Sequence, residues 1–217
     1  MRNAATAAVG LTALFLTTAT PGIPTSIDVA ERVIPAVQRV ELSDGYGSGS
    51  VLRCDRNAMG GYTVIILTAK HVILDSVSQE PSEHVSVLGH KGTVIAAHDS
   101  RDIALVEVDL DFMLPAIPGI RVEPLTPGEK VYGFGYSLSR QMWVTEGIAS
   151  SDNRAGFAAP GDSGGAQVDK FGYLVGVTIA IDRHGWSDLA WHHTYIEPTH
   201  NMIEWLEMHV DIRHLLR

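Results

Sequence analysis

The stretch Tyr62-Thr63-Val64-Ile65-Ile66-Leu67-Thr68, followed by Ala69-Lys70-His71, decides the fold. Seven residues, nearly all β-branched, aromatic or leucine, are too few for a buried helix and suit a core strand. An imidazole follows directly. The same texture recurs on both sides, as short β-branched runs cut by Gly, Asp, Asn or Pro: Val37–Leu42, Ser48–Arg53, His84–Leu88, Thr93–Ala97 and Ile103–Val108. Residues Asp111 to Glu129 carry Pro115, Pro118, Pro124 and Pro127 without periodicity, and read as a linker. A second set follows: Lys130–Tyr136, Met142–Ile148, Arg154–Ala158, Ala166–Asp169, Tyr173–Ile181 and Ala190–Ile196. The economical expectation is all-β, two packed six-stranded antiparallel barrels.

Helical spacing appears only at the two ends. Ile27, Val29, Ala30, Val33, Ile34 and Val37 recur every three to four residues behind Ser26, which is placed to cap. Met202, Ile203, Trp205, Leu206 and Val210 do the same behind Thr199, predicting a C-terminal helix that covers a barrel. The expected organisation is a leader over 1–25, an N-terminal barrel over 26–112, a linker over 113–128 and a C-terminal barrel with its helix over 129–217.

Composition narrows the class. With 217 residues, 45% hydrophobic and 19% charged, the chain can bury a substantial core and lacks the signature of disorder. Sixteen Lys+Arg against 25 Asp+Glu give a net charge of −9, and the basic residues are scattered singly. That argues against a nucleic-acid partner. A single cysteine, Cys54, excludes an intrachain disulfide and a multi-thiolate zinc site. Arg2, the uncharged stretch Asn3–Thr20, small residues near Ala19, and then Pro21 and Pro24 outline an export signal. The stretch is too polar for a confident membrane span, and no other candidate exists. The expected location is secreted or periplasmic, with an uncleaved N-terminal anchor as the alternative.

Three segments carry chemistry: Leu67-Thr-Ala-Lys-His71-Val72, Arg101-Asp102-Ile-Ala-Leu105 and Pro160-Gly161-Asp162-Ser163-Gly164-Gly165. A serine hydroxyl attacks well only when a base takes its proton. Histidine has the pKa for that task, and a carboxylate is needed to orient it. Gly161 lets the backbone turn so that its own N–H and that of Ser163 point at one spot, where an oxyanion would sit. His71 and Asp102 lie in the first β unit and Ser163 in the second, so catalysis is expected in the cleft between them.

The order His, Asp, Ser in the contexts TAKHV, DIALV and PGDSGG resembles the trypsin/chymotrypsin-like serine endopeptidases, on which the standard triad template is built. The resemblance runs from about Val29 to Glu207 and includes Gly45-Tyr-Gly-Ser-Gly49. The leading helix and the lack of disulfides look closer to bacterial members such as the high-temperature-requirement proteases. It implies a chymotrypsin-like double barrel, polypeptide substrates, no cofactor and no metal. By the same resemblance the primary specificity pocket falls on Phe157, Ala158, the wall Thr178, Ile179, Ala180 and Ile181, and His193. Phe157 stands where trypsin-like members place a carboxylate, so Lys or Arg should not be preferred before the scissile bond. His193 leaves open an acidic preference. No Ile-Val-Gly-Gly start is present; zymogen-type members pair such a terminus with the aspartate before the serine. Asp162 is therefore expected to find another partner or to stay partly solvated.

Other readings fare worse. Gly161-x-Ser163-x-Gly165 also fits the nucleophile elbow of α/β-hydrolases, but the residues after it read as a hairpin around Lys170-Phe-Gly172 and not as a helix. His184, His192, His193 and His200 are the densest histidine region, yet adjacent residues of a strand face opposite ways, so His192 and His193 do not readily share an ion. The glycines at 45, 47 and 49 lack the Lys-Ser/Thr sequel of a phosphate loop. Trp143, Trp186, Trp191 and Trp205 suit core or rim positions. A protease-like fold kept only for binding is the rival from another class, and the intact His71, Asp102 and Ser163 argue against it.

Overall fold

A computed structural model of the chain describes residues 23–43, 45–76, 78–138, 141–152, 154–181 and 192–217. Helix α1 (Ser26–Val33) opens the described fold and continues into a 3-10 turn, Ile34–Ala36. Thr25, not Ser26, is its cap: the Thr25 hydroxyl accepts the Asp28 N–H at 3.2 Å while the Asp28 carboxylate accepts the Thr25 N–H at 2.7 Å. This reciprocal box satisfies donors that a helix start leaves open. Val29 and Val33 are buried, and they pack where Gly172 brings the turn over 170–173 close.

The first barrel is β1 (Val37–Glu41), β2 (Tyr46–Arg56), β3 (Tyr62–Thr68), β4 (His84–Val87), β5 (His90–Ala97) and β6 (Ala104–Leu110). It closes in the order β1-β2-β3-β6-β5-β4, with β1 returning to β4 through Val40↔Val87. Closure leaves no open edge. Val40, Val51, Val64, Ile66, Ile73, Val85, Val87, Val106 and Val108 fill its interior.

The second unit comprises β7 (Lys130–Ser137), β8 (Gln141–Ile148), β9 (Arg154–Ala158), β10 (Ala166–Asp169), β11 (Leu174–Ile181) and β12 (His192–Pro198). Its six strands run β8-β7-β10-β11-β12-β9. Six strands in each unit agree with the expectation, and in the second unit β8 and β9 are the two ends of the strand order, with no ladder between them among the described residues. A side chain spans that seam instead: the Thr145 hydroxyl donates to the Phe157 carbonyl at 2.9 Å. The strand expected from Ala190 begins at His192 among the described residues.

The proline-rich stretch is more than a linker. Ile117 and Ile120 are fully buried, and Ile120 bridges both Leu174 and Leu216. They belong to one continuous core that joins α1, Leu52, Leu67 and Leu105 of the first unit to Phe134, Val168 and Leu174 of the second. The C-terminal helix α2 (Ile203–His209) seals this core with Met202 and Leu206. Thr199 does not cap it: a 3-10 turn (Thr199–Asn201) intervenes, and the Thr199 hydroxyl donates to the Arg121 carbonyl at 2.6 Å. Among the described residues no helix is long and apolar enough to cross a membrane.

Candidate active site

Strand β3 ends at Thr68, and the 3-10 turn Lys70–Ile73 swings His71 out while Val72 and Ile73 anchor it in the barrel. Asp102 sits just before β6, whose ladder with β3 pairs Thr68 with Ala104. Two adjacent strand ends thus present the two side chains to each other. The Asp102 carboxylate grips His71 twice: Oδ2 lies 2.6 Å from Nδ1, and Oδ1 accepts the backbone N–H at 2.8 Å. A carboxylate acceptor on Nδ1 places the proton there and leaves Nε2 as the basic nitrogen. The pair is open to the cleft, with side-chain exposures of 41% for His71 and 31% for Asp102.

Ser163 reaches the same cleft by a close meeting of backbones. A Cβ on Gly47 would lie 2.5 Å from a Val72 methyl and 2.7 Å from the Ser163 carbonyl oxygen, so only glycine lets the nucleophile loop come this near the histidine turn. Ser48 N–H donates to that Ser163 carbonyl at 2.7 Å. The Ser48 hydroxyl donates to the Gly161 carbonyl and accepts the Tyr136 N–H, both at 2.8 Å. On the far side, Gly164 N–H donates to the Thr178 carbonyl at 2.7 Å and Thr178 N–H to the Gly165 carbonyl at 3.0 Å.

The loop is held everywhere except at the groups that matter. Gly161 has φ +101°, and among the described residues neither its N–H nor that of Ser163 has a hydrogen-bond acceptor. The Ser163 hydroxyl likewise makes no hydrogen bond among the described residues, His71 included; that contact commonly tightens only when substrate arrives. Asp162 is only 6% exposed, and found partners within the fold: the Ser137 hydroxyl at 2.6 Å and the Ala159 N–H at 2.8 Å. Burial pushes its carboxyl above the usual range, against those two hydrogen bonds.

The residues expected to form a specificity pocket separate. Phe157 is 42% exposed on β9, paired in register with His193 of β12, whereas Ala158 is buried. Thr178 turns inward, fully buried, its hydroxyl accepting from Gln167 Nε2 at 2.9 Å. It braces the nucleophile loop through its backbone. Ile179 packs against the first barrel's core, and Ala180 and Ile181 continue β11. The side chains of Ala180, Ile181 and His193 lie outside the described residues, as do Trp186, Trp191 and His184. Among the described residues no group of three potential metal ligands occurs. Ser48, Ser137 and His98 escaped the sequence reading. Ser48 alone carried a signal, because Gly47-Ser48-Gly49 flanks a serine with glycines as Gly161 to Gly165 does.

A closed β-barrel packed on a second six-stranded sheet, with a His–Asp pair facing a glycine-flanked serine, defines a chymotrypsin-like protein. The family model for the trypsin-like peptidase domain matches residues 47–177, more than half of the sequence, and includes His71, Asp102 and Ser163. The chain belongs to the trypsin-like peptidase family. Serine protease HTRA1A of Danio rerio is 30% identical over 140 residues, 59% of this chain and 27% of that protein. Serine protease HTRA1 of Xenopus laevis is 30% identical over 142 residues, 59% of this chain and 28% of that one. The chain thus spans about a quarter of the length of these relatives. Among solved structures, the HtrA-type protease AlgW with tripeptide superimposes with a TM-score of 0.67 at 22% identity, over 88% of this chain and 64% of that one. The serine endoprotease from Yersinia pestis gives 0.64 at 25% identity, over 86% and 67%.

Proposed function

We propose that the protein is a serine endopeptidase acting through an acyl-enzyme on Ser163. The observation that carries this is the double grip of Asp102 on His71, which sets the tautomer a general base needs beside a serine loop whose donors are unspent. His71 Nε2 takes the Ser163 proton as Oγ attacks the scissile carbonyl. Asp102 stabilises the imidazolium that forms, and the N–H groups of Gly161 and Ser163 receive the oxyanion. His71 then returns the proton to the leaving amine, and water repeats the sequence to release the acid. A fluorophosphonate probe should label wild-type protein at one equivalent and leave Ser163→Ala unlabelled. Wild-type turnover by Ser163→Ala would end the proposal.

The same reading covers activation and substrate. Asp162 is satisfied by Ser137 and Ala159, which supports activity without a newly exposed N-terminus, and the proposed acyl-enzyme chemistry calls for no metal. Protein starting just after the leader should hydrolyse substrate in chelator. Apolar residues are the favoured guests before the scissile bond, because Phe157 offers a phenyl ring where a cation would need a counter-charge. Peptide-library cleavage tests this: Arg or Lys preference would refute it, and Glu or Asp preference lost in His193→Ala would favour the acidic alternative. Export to the periplasm or outside the cell is the location proposed, on the pattern of the first residues.

A further inference from the structure

His98 stands between the end of β5 and Asp102, and its backbone N–H, its carbonyl and its ring Nδ1 all hold that loop. Its N–H donates to the Ile103 carbonyl at 3.0 Å, and its carbonyl accepts from the ammonium of Lys70, the neighbour of His71, at 2.9 Å. Its ring Nδ1 accepts the N–H of Ser100 at 3.1 Å and of Arg101 at 3.2 Å. A nitrogen that accepts two N–H groups carries no proton, so the ring is neutral with its proton on Nε2. The ring packs against Trp205 of α2 at 5.5 Å between centroids, and Trp205 in turn packs against His209 at 4.8 Å. The next residue but two, Arg101, reaches across to Glu197 of β12 at 2.6 Å, where Glu197 is only 9% exposed.

The segment that delivers Asp102 is therefore pinned from three sides: the histidine turn, the second β unit and the C-terminal helix. The pin through Nδ1 depends on an imidazole acceptor, as the pin through Arg101 depends on the Glu197 carboxylate. We infer that neutral His98 is a positioning residue for Asp102, fixing the carboxylate that grips His71, and that protonating His98 loosens this grip. The inference rests on the reading of His71 and Asp102 as the catalytic pair. An imidazolium has no lone pair for the Ser100 and Arg101 N–H groups, so both donors would be orphaned and the loop would lose its bend. Imidazoles ordinarily change charge between about pH 5 and 8. The charges around the ring divide. Lys70 on its carbonyl and Arg101 beside it oppose a further cation, as does His209 behind Trp205 when charged. Asp99, Asp102 and Glu197 favour one, although Asp102 is engaged with His71 and Glu197 with Arg101.

Two variants separate positioning from packing. His98→Phe keeps a ring against Trp205 and removes the acceptor. His98→Asn restores an acceptor, since an Asn side-chain oxygen takes N–H groups two and three residues on, but does not titrate. The readout is the rate of Ser163 labelling by a fluorophosphonate from about pH 5 to about pH 9. In wild type the acid limb should fall more steeply than the unit slope expected from His71 alone. In His98→Asn it should return to unit slope, with the rate at high pH within about threefold of wild type. His98→Phe should be about tenfold slower than wild type at high pH, the factor equivalent to one net hydrogen bond, should converge on wild type as the pH falls, and should also be of unit slope. A unit slope in wild type together with an unchanged rate in His98→Phe overturns the inference. If wild type does not label at all, the catalytic reading fails instead. The His98 inference is then decided by the hydrogen-bonded His71 Nδ1–H proton resonance in the Ser163→Ala protein. That resonance should persist in His98→Asn and vanish in His98→Phe, and its persistence in both refutes the role.

Discussion

Replacing Ser48 by alanine should damage stability and turnover together, although Ser48 is not one of the proposed reacting groups. Its hydroxyl is fully buried and joins the Tyr136 N–H of β7 to the Gly161 carbonyl, each at 2.8 Å. Alanine removes the bridge and leaves one donor and one acceptor unpaired. At about 1–3 kcal/mol for each buried group left unsatisfied, partly relieved by relaxation, the expected destabilisation is about 2–4 kcal/mol. Space does not open for a compensating shift, because Gly161 already stacks on Tyr136: a Cβ at Gly161 would lie 2.3 Å from the Tyr136 carbonyl oxygen. The Gly161 carbonyl sets the orientation of the peptides on either side of it, so its release lets the two oxyanion donors diverge. That loss is felt in the transition state, and kcat should fall about 10- to 100-fold with KM little changed. Urea unfolding gives the first number, and steady-state hydrolysis well below the melting temperature gives the second. A destabilisation under about 0.5 kcal/mol with unaltered kcat would show that the loop keeps its shape without the Ser48 bridge.

Further outcomes follow from the same geometry. Gly164→Ala should fail to give folded protein, because φ is +83° and the new Cβ would lie 2.0 Å from the Ser48 carbonyl oxygen; soluble, cooperatively melting protein would contradict the close approach of the two units. Asp162→Asn tests the raised carboxyl. A native-state pKa above the unfolded value means the folded protein holds the proton more tightly, so the acid's contribution is most favourable at low pH and declines as pH rises through its native value. The variant should therefore gain stability relative to wild type from acid to neutral pH, and a relative loss over that range in thermal melts would reverse the sign. Arg121 donates to Glu129 and holds its carboxyl down to about 2, so that pair's contribution is present above the usual carboxylate value and disappears as pH falls toward 2. Arg121→Ala should cost less than about 1 kcal/mol at neutral pH because solvent screens the pair, and nothing at the acid end; an equal cost at both ends would rule out the ionic origin.

Strand positions were legible because their determinants are local. The β-branched run Tyr62–Thr68 places β3 to the residue, since side-chain shape and backbone preference act within a few positions. The helix boundaries were less so: Thr25 wins the cap from Ser26 through its reciprocal bond with Asp28, and the choice between neighbouring oxygens depends on where the chain enters the helix. The three chemical residues were legible for a different reason, because a base, its carboxylate and a glycine-flanked serine are demanded by the reaction and stand in distinct segments of recognisable composition.

What only the tertiary structure decided are the groups whose partners lie far along the chain. Ser48 and Gly161 are 113 residues apart in sequence, Arg101 and Glu197 are 96 apart, and no local pattern announces either pairing. The same holds for the seam between β8 and β9, which the Thr145 hydroxyl spans, and for the proline-rich stretch, which the alternation of apolar residues could not show to be core. Local sequence sets which residues can form a strand or perform a proton transfer. Which buried hydroxyl or imidazole holds them in place is set by close approach of backbones, and that is a property of the packed chain alone.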